Sequence, residues 1–313
     1  MRIKRSGKIT DDFYVVGDPG VPVYLLNGDR PVLFDAGFTA LAQLYEQHIK
    51  EILGTRAPAY LFLTHSHFDH IGSASYLKST WPDMKTAGSR RVKEILARPR
   101  ALQLIRRLNQ EAAEAVRSWG RVSAYKGLFE PFDLDMVLAP GQAVEIGPNR
   151  TVKVMLTPGH TWDFMSYWLP EEKILVASEA VGCDDGSGYI MTEFLVDYEA
   201  YIGSLRELSK LDVQVLCPGH RAVFTGSDAK DYLRRSLEQA ATYVDMVERS
   251  LREEEGDIER TVARVKALEW DSKPTPKQPE TAYVLNTRAR VTHIRKRMRK
   301  AKGRSGSTPG EMD

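Results

Sequence analysis

The sequence predicts an α/β protein in which sheets are covered by helices. Short β-rich runs bounded by Gly, Pro, Asp and Asn alternate with longer segments whose apolar residues recur every three or four positions. Some of the β-rich runs are apolar throughout, as strands buried on both faces are. From Ala229 the chain reads as helix of rising charge. A mixed unit over 1–225 is therefore expected, then a helical extension over 226–302. A tail over 303–313 has the composition of a flexible segment.

Phe13-Tyr14-Val15-Val16, Val21 to Leu26 and Pro31 to Phe34 are expected strands separated by turn residues. Leu41 to Leu53 is an expected helix, with Leu41, Leu44, Tyr45, Ile49, Ile52 and Leu53 on one face. His48 shares that face, so core or core edge is its expected place. Tyr60-Leu61-Phe62-Leu63 is an apolar strand that runs into a histidine-rich segment, and a helix is expected from Ile71 to Leu77. Arg90 to Arg121 is Arg-rich, and its stripe of Leu102, Ile105, Leu108, Ala112, Ala115 and Trp119 predicts a helical insertion. Strands return at Met136–Leu138, Val144–Ile146, Val152–Leu156, Met165–Leu169 and Ile174–Ala177. Glu199 to Leu211 reads as helix and Val213 to Leu216 as a buried strand. A Pro-rich stretch from Lys273 to Pro279 interrupts the helical C-terminal part.

With 313 residues, 42% apolar and 27% charged, the chain can bury a full core without disulfides. No apolar run is long enough to span a bilayer, and the basic Met1–Arg5 segment lacks the apolar stretch of a signal peptide. Cys183 and Cys217 are too few for a disulfide scaffold, so a cytoplasmic location is expected, with both as free thiols. Residues 288–304 hold nine Lys/Arg and no acid, so the net charge of +2 is set by that run. It carries no recognisable nucleic-acid module, and a solvated helix is the expectation rather than a nucleic-acid partner.

The strongest chemical signal is Thr64-His65-Ser66-His67-Phe68-Asp69-His70, directly after a buried strand. His65 and His67 point to one side of an extended chain, and a turn is needed to bring Asp69 and His70 round. Imidazole nitrogen with carboxylate oxygen suits zinc, iron or manganese. His160 follows Thr157-Pro158-Gly159, and His220 follows Cys217-Pro218-Gly219, each where a strand ends. Pro-Gly makes a tight turn that can return a side chain to the sheet edge. Five of the seven histidines thus fall at strand ends, in three segments.

This pattern resembles the metallo-β-lactamase superfamily, marked by His-x-His-x-Asp-His and later His, acidic and His ligands. The resemblance covers residues from about 10 to 225, including Phe34-Asp35-Ala36-Gly37, similar to the family's strand-ending Asp-x-Gly. It implies an αββα sandwich, a catalytic domain over 1–225, and metals at one sheet edge. By resemblance, His65, His67 and His160 bind a first divalent ion, and Asp69, His70 and His220 a second. The family's bridging aspartate is replaced here by Glu179, in Ala177-Ser178-Glu179-Ala180. Its extra methylene leaves three roles open: a bridge of altered geometry, a ligand to one ion, or a carboxylate set back from the metals. A ligand role is the expectation.

A closer resemblance is to the quinolone signal response proteins, 2-aminobenzoylacetyl-CoA thioesterases. It rests on Asp11-Asp12, Val16-Gly17-Asp18, Val21 to Leu26, Arg107-Leu108-Asn109, Glu199-Ala200-Tyr201 and the helical C-terminus. It implies a hydrolase that uses a metal-bound hydroxide on an acyl-CoA or similar thioester, with Asp69 orienting the attacking water. The expected partner is thus a small thioester or ester, with homodimerisation an open alternative. The nine Lys/Arg from Arg90 to Arg121 either meet coenzyme A phosphates or form a solvated face. Tyr189 either touches substrate or lies in the core. Lactonase or phosphodiesterase activity on the same centre is the alternative enzyme reading, with an iron oxygenase a minor one. A regulatory or binding protein with a secondary metal site is the alternative outside catalysis.

Overall fold

The computed structural model describes residues 1–118, 120, 125–273 and 277–305. In chain order its elements are β1 (Arg2–Ile3), β2 (Gly7–Lys8), β3 (Phe13–Val16), β4 (Val23–Leu26), β5 (Val32–Phe34), α1 (Ala42–Leu53), β6 (Tyr60–Phe62), α2 (Phe68–Ile71), α3 (Ala74–Thr80), β7 (Lys85–Ser89), α4 (Arg90–Leu96), α5 (Pro99–Ser118) and β8 (Met136–Leu138). Then come β9 (Ala143–Gly147), β10 (Arg150–Leu156), β11 (Met165–Leu169), β12 (Ile174–Val176), β13 (Cys183–Asp184), β14 (Ile190–Met191), α6 (Tyr198–Leu208), β15 (Val215–Cys217) and β16 (Val223–Thr225). Helices α7 (Ser227–Glu253), α8 (Ile258–Lys266) and α9 (Glu280–Ser305) close the chain, with a π-helical turn at Ala267–Asp271.

The strands form two seven-stranded sheets and a small hairpin, β13–β14. The first sheet runs β2-β3-β4-β5-β6-β7-β8; the second runs β1-β16-β15-β12-β11-β10-β9. Strands β5 to β8 pair in parallel, because helices connect them. Strand β1 crosses to the second sheet and pairs with β16, Arg2 opposite Phe224 and Ile3 opposite Val223.

Three cores explain the apolar runs. Phe34 and Phe62 pack between the sheets with Tyr167 and Val176, while Leu33, Leu61 and Leu63 point the other way, against α1 to α5. Alternate residues of one strand thus enter different cores, so no polar face is left to show in the sequence. A third core sits between the second sheet and α6 to α9, joining Leu175, Leu216 and Phe224 to Tyr232, Tyr243, Val247, Val265 and Val291. This is the expected αββα sandwich, and the C-terminal helices complete its outer layer.

Some boundaries differ from expectation. The helix expected from Ile71 is two pieces: α2 starts at Phe68, inside the histidine segment, and α3 follows Gly72-Ser73. The insertion is also two helices, broken before Pro99, which cannot continue a helix. Its buried side is Ile105, Asn109, Ala112 and Val116, so a polar residue supplies part of the stripe. Trp119, Arg121, Pro274 to Pro276 and the tail beyond Ser305 lie outside the described residues. His48 sits at a core edge, where its Nδ1 accepts from the Gly17 amide at 3.0 Å.

Candidate metal centre

The site starts at Asp35, which follows β5 in the left-handed region with φ of 61°. A non-glycine residue there is strained. Asp35 Oδ1 accepts from the Thr64 amide at 2.8 Å, and Oδ2 meets His70 Nδ1 at 2.8 Å. Thr64 Oγ1 lies 2.9 Å from Asp35 and 3.0 Å from His65 Nδ1. One carboxylate therefore fixes the strand end and two histidine rings. Asp163 adds a further tie, accepting from the Ser66 amide at 2.8 Å.

Most of the remaining ring nitrogens are held the same way. His160 Nδ1 meets the Glu193 carbonyl at 2.5 Å and His220 Nδ1 the Gly20 carbonyl at 2.9 Å. With Nδ1 protonated and bonded, Nε2 is left with a lone pair, the arrangement usual for a metal-binding histidine. His67 is the exception and turns Nδ1 inward, 3.1 Å from His160 Nε2.

The inward atoms form two sets, His65 with His67 and His160, and Asp69 with His70 and His220, each within 4.8 Å of one another. His220 Nε2 is 3.4 Å from Asp69 Oδ2. A cation bound at about 2.0–2.1 Å in tetrahedral geometry needs ligand atoms about 3.3 Å apart, so these spacings fit one. His65 Nε2 is fully buried and has no hydrogen-bond partner. An orphaned lone pair among other donors is what a cation would satisfy.

Glu179 lies between the sets. Its Oε1 is 3.0 Å from both His70 Nε2 and His220 Nε2, and its Oε2 is 3.8 Å from His65 Nε2. Ser178, at φ of 46°, donates to Oε2 at 2.7 Å. The two Pro-Gly-His turns make room for this packing. A Cβ on Gly219 would stand 2.0 Å from Glu179 Oε1. A Cβ on Gly159, whose φ is +132°, would stand 2.3 Å from the Tyr201 Cα.

Electrostatics separate the two sets. Burial, helped by neighbouring rings, pushes His160 down to about 3 and His65 well below the usual histidine range. Burial also opposes charge on His220, but Asp69 and Glu179 overcome it and lift the ring to about 10. Asp69 is held at about 2 despite burial, by His70 and His220. In the second set, protons stand where a cation would compensate the same two carboxylates.

A sequence model described as the metallo-beta-lactamase superfamily matches residues 16–220, a span that holds every residue of both sets. The chain belongs to that superfamily. Among its relatives is the beta-lactamase-like protein 2 homolog of Caenorhabditis elegans, 27% identical over 207 residues, 65% of this chain and 57% of that protein. The atrochrysone carboxyl ACP thioesterase of Aspergillus fumigatus is 23% identical over 217 residues, 69% of this chain and 52% of that one. The alignments thus span little more than half of either relative. A metallo-beta-lactamase family protein from Thermus thermophilus shares the fold, with a TM-score of 0.66 at 19% identity over 94% of this chain and 95% of that one.

All seven residues singled out in the sequence, His65, His67, Asp69, His70, His160, Glu179 and His220, converge on this one site. Asp35 was visible only as part of a family-like motif, and the Glu193 and Gly20 carbonyls carry no sequence signal. Cys183 packs close to Glu179 and His220, whereas Cys217 lies in the core between the sheets. Tyr189 turns away from the site and donates to Glu269 at 3.0 Å.

Proposed function

We propose that this protein is a metal-dependent hydrolase that cleaves a thioester. The observation that carries the reading is the pair of facing donor sets with Glu179 between them. In this reading His65, His67 and His160 hold one divalent ion, zinc, iron or manganese. Asp69, His70 and His220 would hold the other, with the Glu179 carboxylate between the two sets. Bound divalent ions acidify a water and polarise a carbonyl.

The side chains supply the rest. Asp69, ionised across the neutral range, accepts a hydrogen bond from the attacking water and fixes its direction. The tied Nδ1 atoms keep the rings from turning as charge develops. Trp162, 44% exposed and two residues beyond His160, offers apolar surface to an acyl group. The Aspergillus relative is named a thioesterase, which supports a thioester over other acyl substrates.

The test is a hydrolysis panel of acyl-CoA thioesters, lactones and bis-p-nitrophenyl phosphate, run on the metal-loaded protein. Thioester turnover should exceed the others, and Asp69→Ala should lower it by at least about 100-fold. Turnover of lactone or phosphodiester alone would replace the thioesterase reading. If His67→Ala and Asp69→Ala leave the protein's cellular effect intact, a binding role replaces catalysis.

A further inference from the structure

The segment from Val181 to Glu193 links the two halves of the site. It starts just past Glu179 and ends at the carbonyl that holds His160 Nδ1. Side chains of the C-terminal helices hold its backbone at several points. Tyr232 on α7 donates to the Gly182 carbonyl at 2.9 Å, and Ser236 to that of Val181 at 2.7 Å. Gln239 accepts from the Ile190 amide at 2.7 Å.

The last grip comes from α9. Arg290 is completely buried, although it is the largest cationic side chain a protein can bury. Its Nη1 donates to the Thr192 carbonyl at 2.6 Å, one peptide before the Glu193 carbonyl. Its Nη2 donates to Glu269 at 3.2 Å and to Thr287 at 2.9 Å, and the guanidinium lies 4.6 Å from the centre of the Tyr243 ring. Glu269, in the π-helical turn, also accepts from Tyr189 at 3.0 Å and Tyr283 at 2.6 Å. Burying an arginine this deeply needs partners for both Nη groups, and only its Nε is left without one. A guanidinium whose two Nη groups hold a backbone carbonyl and a carboxylate fixes direction as well as distance.

We propose that Arg290 is a positioning residue for the metal centre: by clamping the Thr192 carbonyl it sets the Glu193 carbonyl against His160 Nδ1, so α9 governs the orientation of a metal-binding ring. The inference rests on the metal-centre reading. It makes the C-terminal helices part of the site's support, although they lie beyond the stretch that matches the superfamily. Partners that orient a metal-binding histidine change affinity by about 10–100-fold when lost.

The full-length protein tests it, with Zn²⁺ affinity read by competition against a chromophoric chelator and Co²⁺ loading read by visible absorption. Arg290→Met combined with Glu269→Gln removes the clamp together with the carboxylate that Arg290 bonds, and Arg290→Lys keeps the charge but loses the fork. Both should bind Zn²⁺ more weakly, the double variant by about 10–100-fold, and shift the Co²⁺ spectrum. Val262→Ala, a core change on α8, should lower the melting temperature and leave both readouts in place. Folded clamp variants with unaltered affinity and spectrum would overturn the proposal. Amide exchange in the unaltered protein needs no variant: Zn²⁺ should slow exchange around Arg290 in α9, and protection confined to the ligand segments would overturn the proposal equally. If the unaltered protein takes up neither ion, the metal-centre reading itself falls, a different result from intact uptake that ignores the clamp.

Discussion

At the scale of single residues, the site depends on small groups placed beside charged ones. Glu179 fits between the two donor sets because Gly219 leaves it the space of a side chain. Gly219→Ala should therefore displace the carboxylate and weaken Zn²⁺ binding, measurable by chelator competition, while the fold persists by circular dichroism. Asp35→Asn keeps the shape but removes the charge facing His70 Nδ1. Zn²⁺ affinity should fall by about 10–100-fold in the same assay. The histidines and Asp69 were legible in the sequence because they are rare, clustered and placed at strand ends. Asp35 was less so, since its partners lie far along the chain and a carboxylate by itself says nothing about which ring it holds. The Glu193 carbonyl was not legible, because every residue carries one.

At the scale of elements, the helix that carries Asp69 and His70 is only a single turn, α2, and it cannot stand alone. Helix α5 braces it. Asn109 donates to the Phe68 carbonyl at 3.3 Å, and its oxygen accepts from the Thr39 amide at 3.1 Å. Asn109→Leu should cost about 1–3 kcal/mol in urea unfolding, because a buried amide and carbonyl lose their partners. The sequence showed the insertion's helical period but not this polar member of its buried stripe, which breaks the apolar pattern. Asp135, where the chain re-enters the first sheet, is a second brace. It accepts from Lys78 at 2.9 Å and from the Thr86 amide at 2.7 Å. Burial opposes its charge, but these bonds hold its carboxyl below the usual value. A depressed carboxyl stabilises the fold above its unfolded pKa and loses that contribution as pH falls through the folded one. Asp135→Asn should thus cost about 1 kcal/mol at pH 7, allowing for the group's partial exposure, with the gap closing below about pH 4 in urea titrations.

At the scale of the whole molecule, the four layers were legible because strand runs and helix periods are strong signals. The pairing of β1 with β16 was not, since two residues carry no period. Nor was the engagement of the basic C-terminal run. Arg288 pairs with Glu259 at 2.7 Å, Arg290 is buried, and Arg297 meets Glu199 at 3.1 Å. Part of the run's charge is thereby neutralised within the fold. No helix among the described residues is long and apolar enough to cross a membrane. The outer layer formed by α7 to α9 covers Leu216 and Phe224. A chain cut after Thr225 should therefore show no cooperative thermal transition by circular dichroism.

The pairing of β1 with β16 also bears on how the chain acquires its fold during synthesis. Arg2 and Ile3 leave the ribosome long before Val223 and Phe224 exist. At about 5–20 residues per second, the interval is roughly 10–40 s. Throughout it the second sheet lacks both its edge strand and the neighbour that edge needs, and His220 has not yet been made. The first sheet and its histidine cluster can form early, but His220 and the closing strand arrive together. Completion of the two donor sets and closure of the sandwich are therefore a single late event in the birth of each molecule.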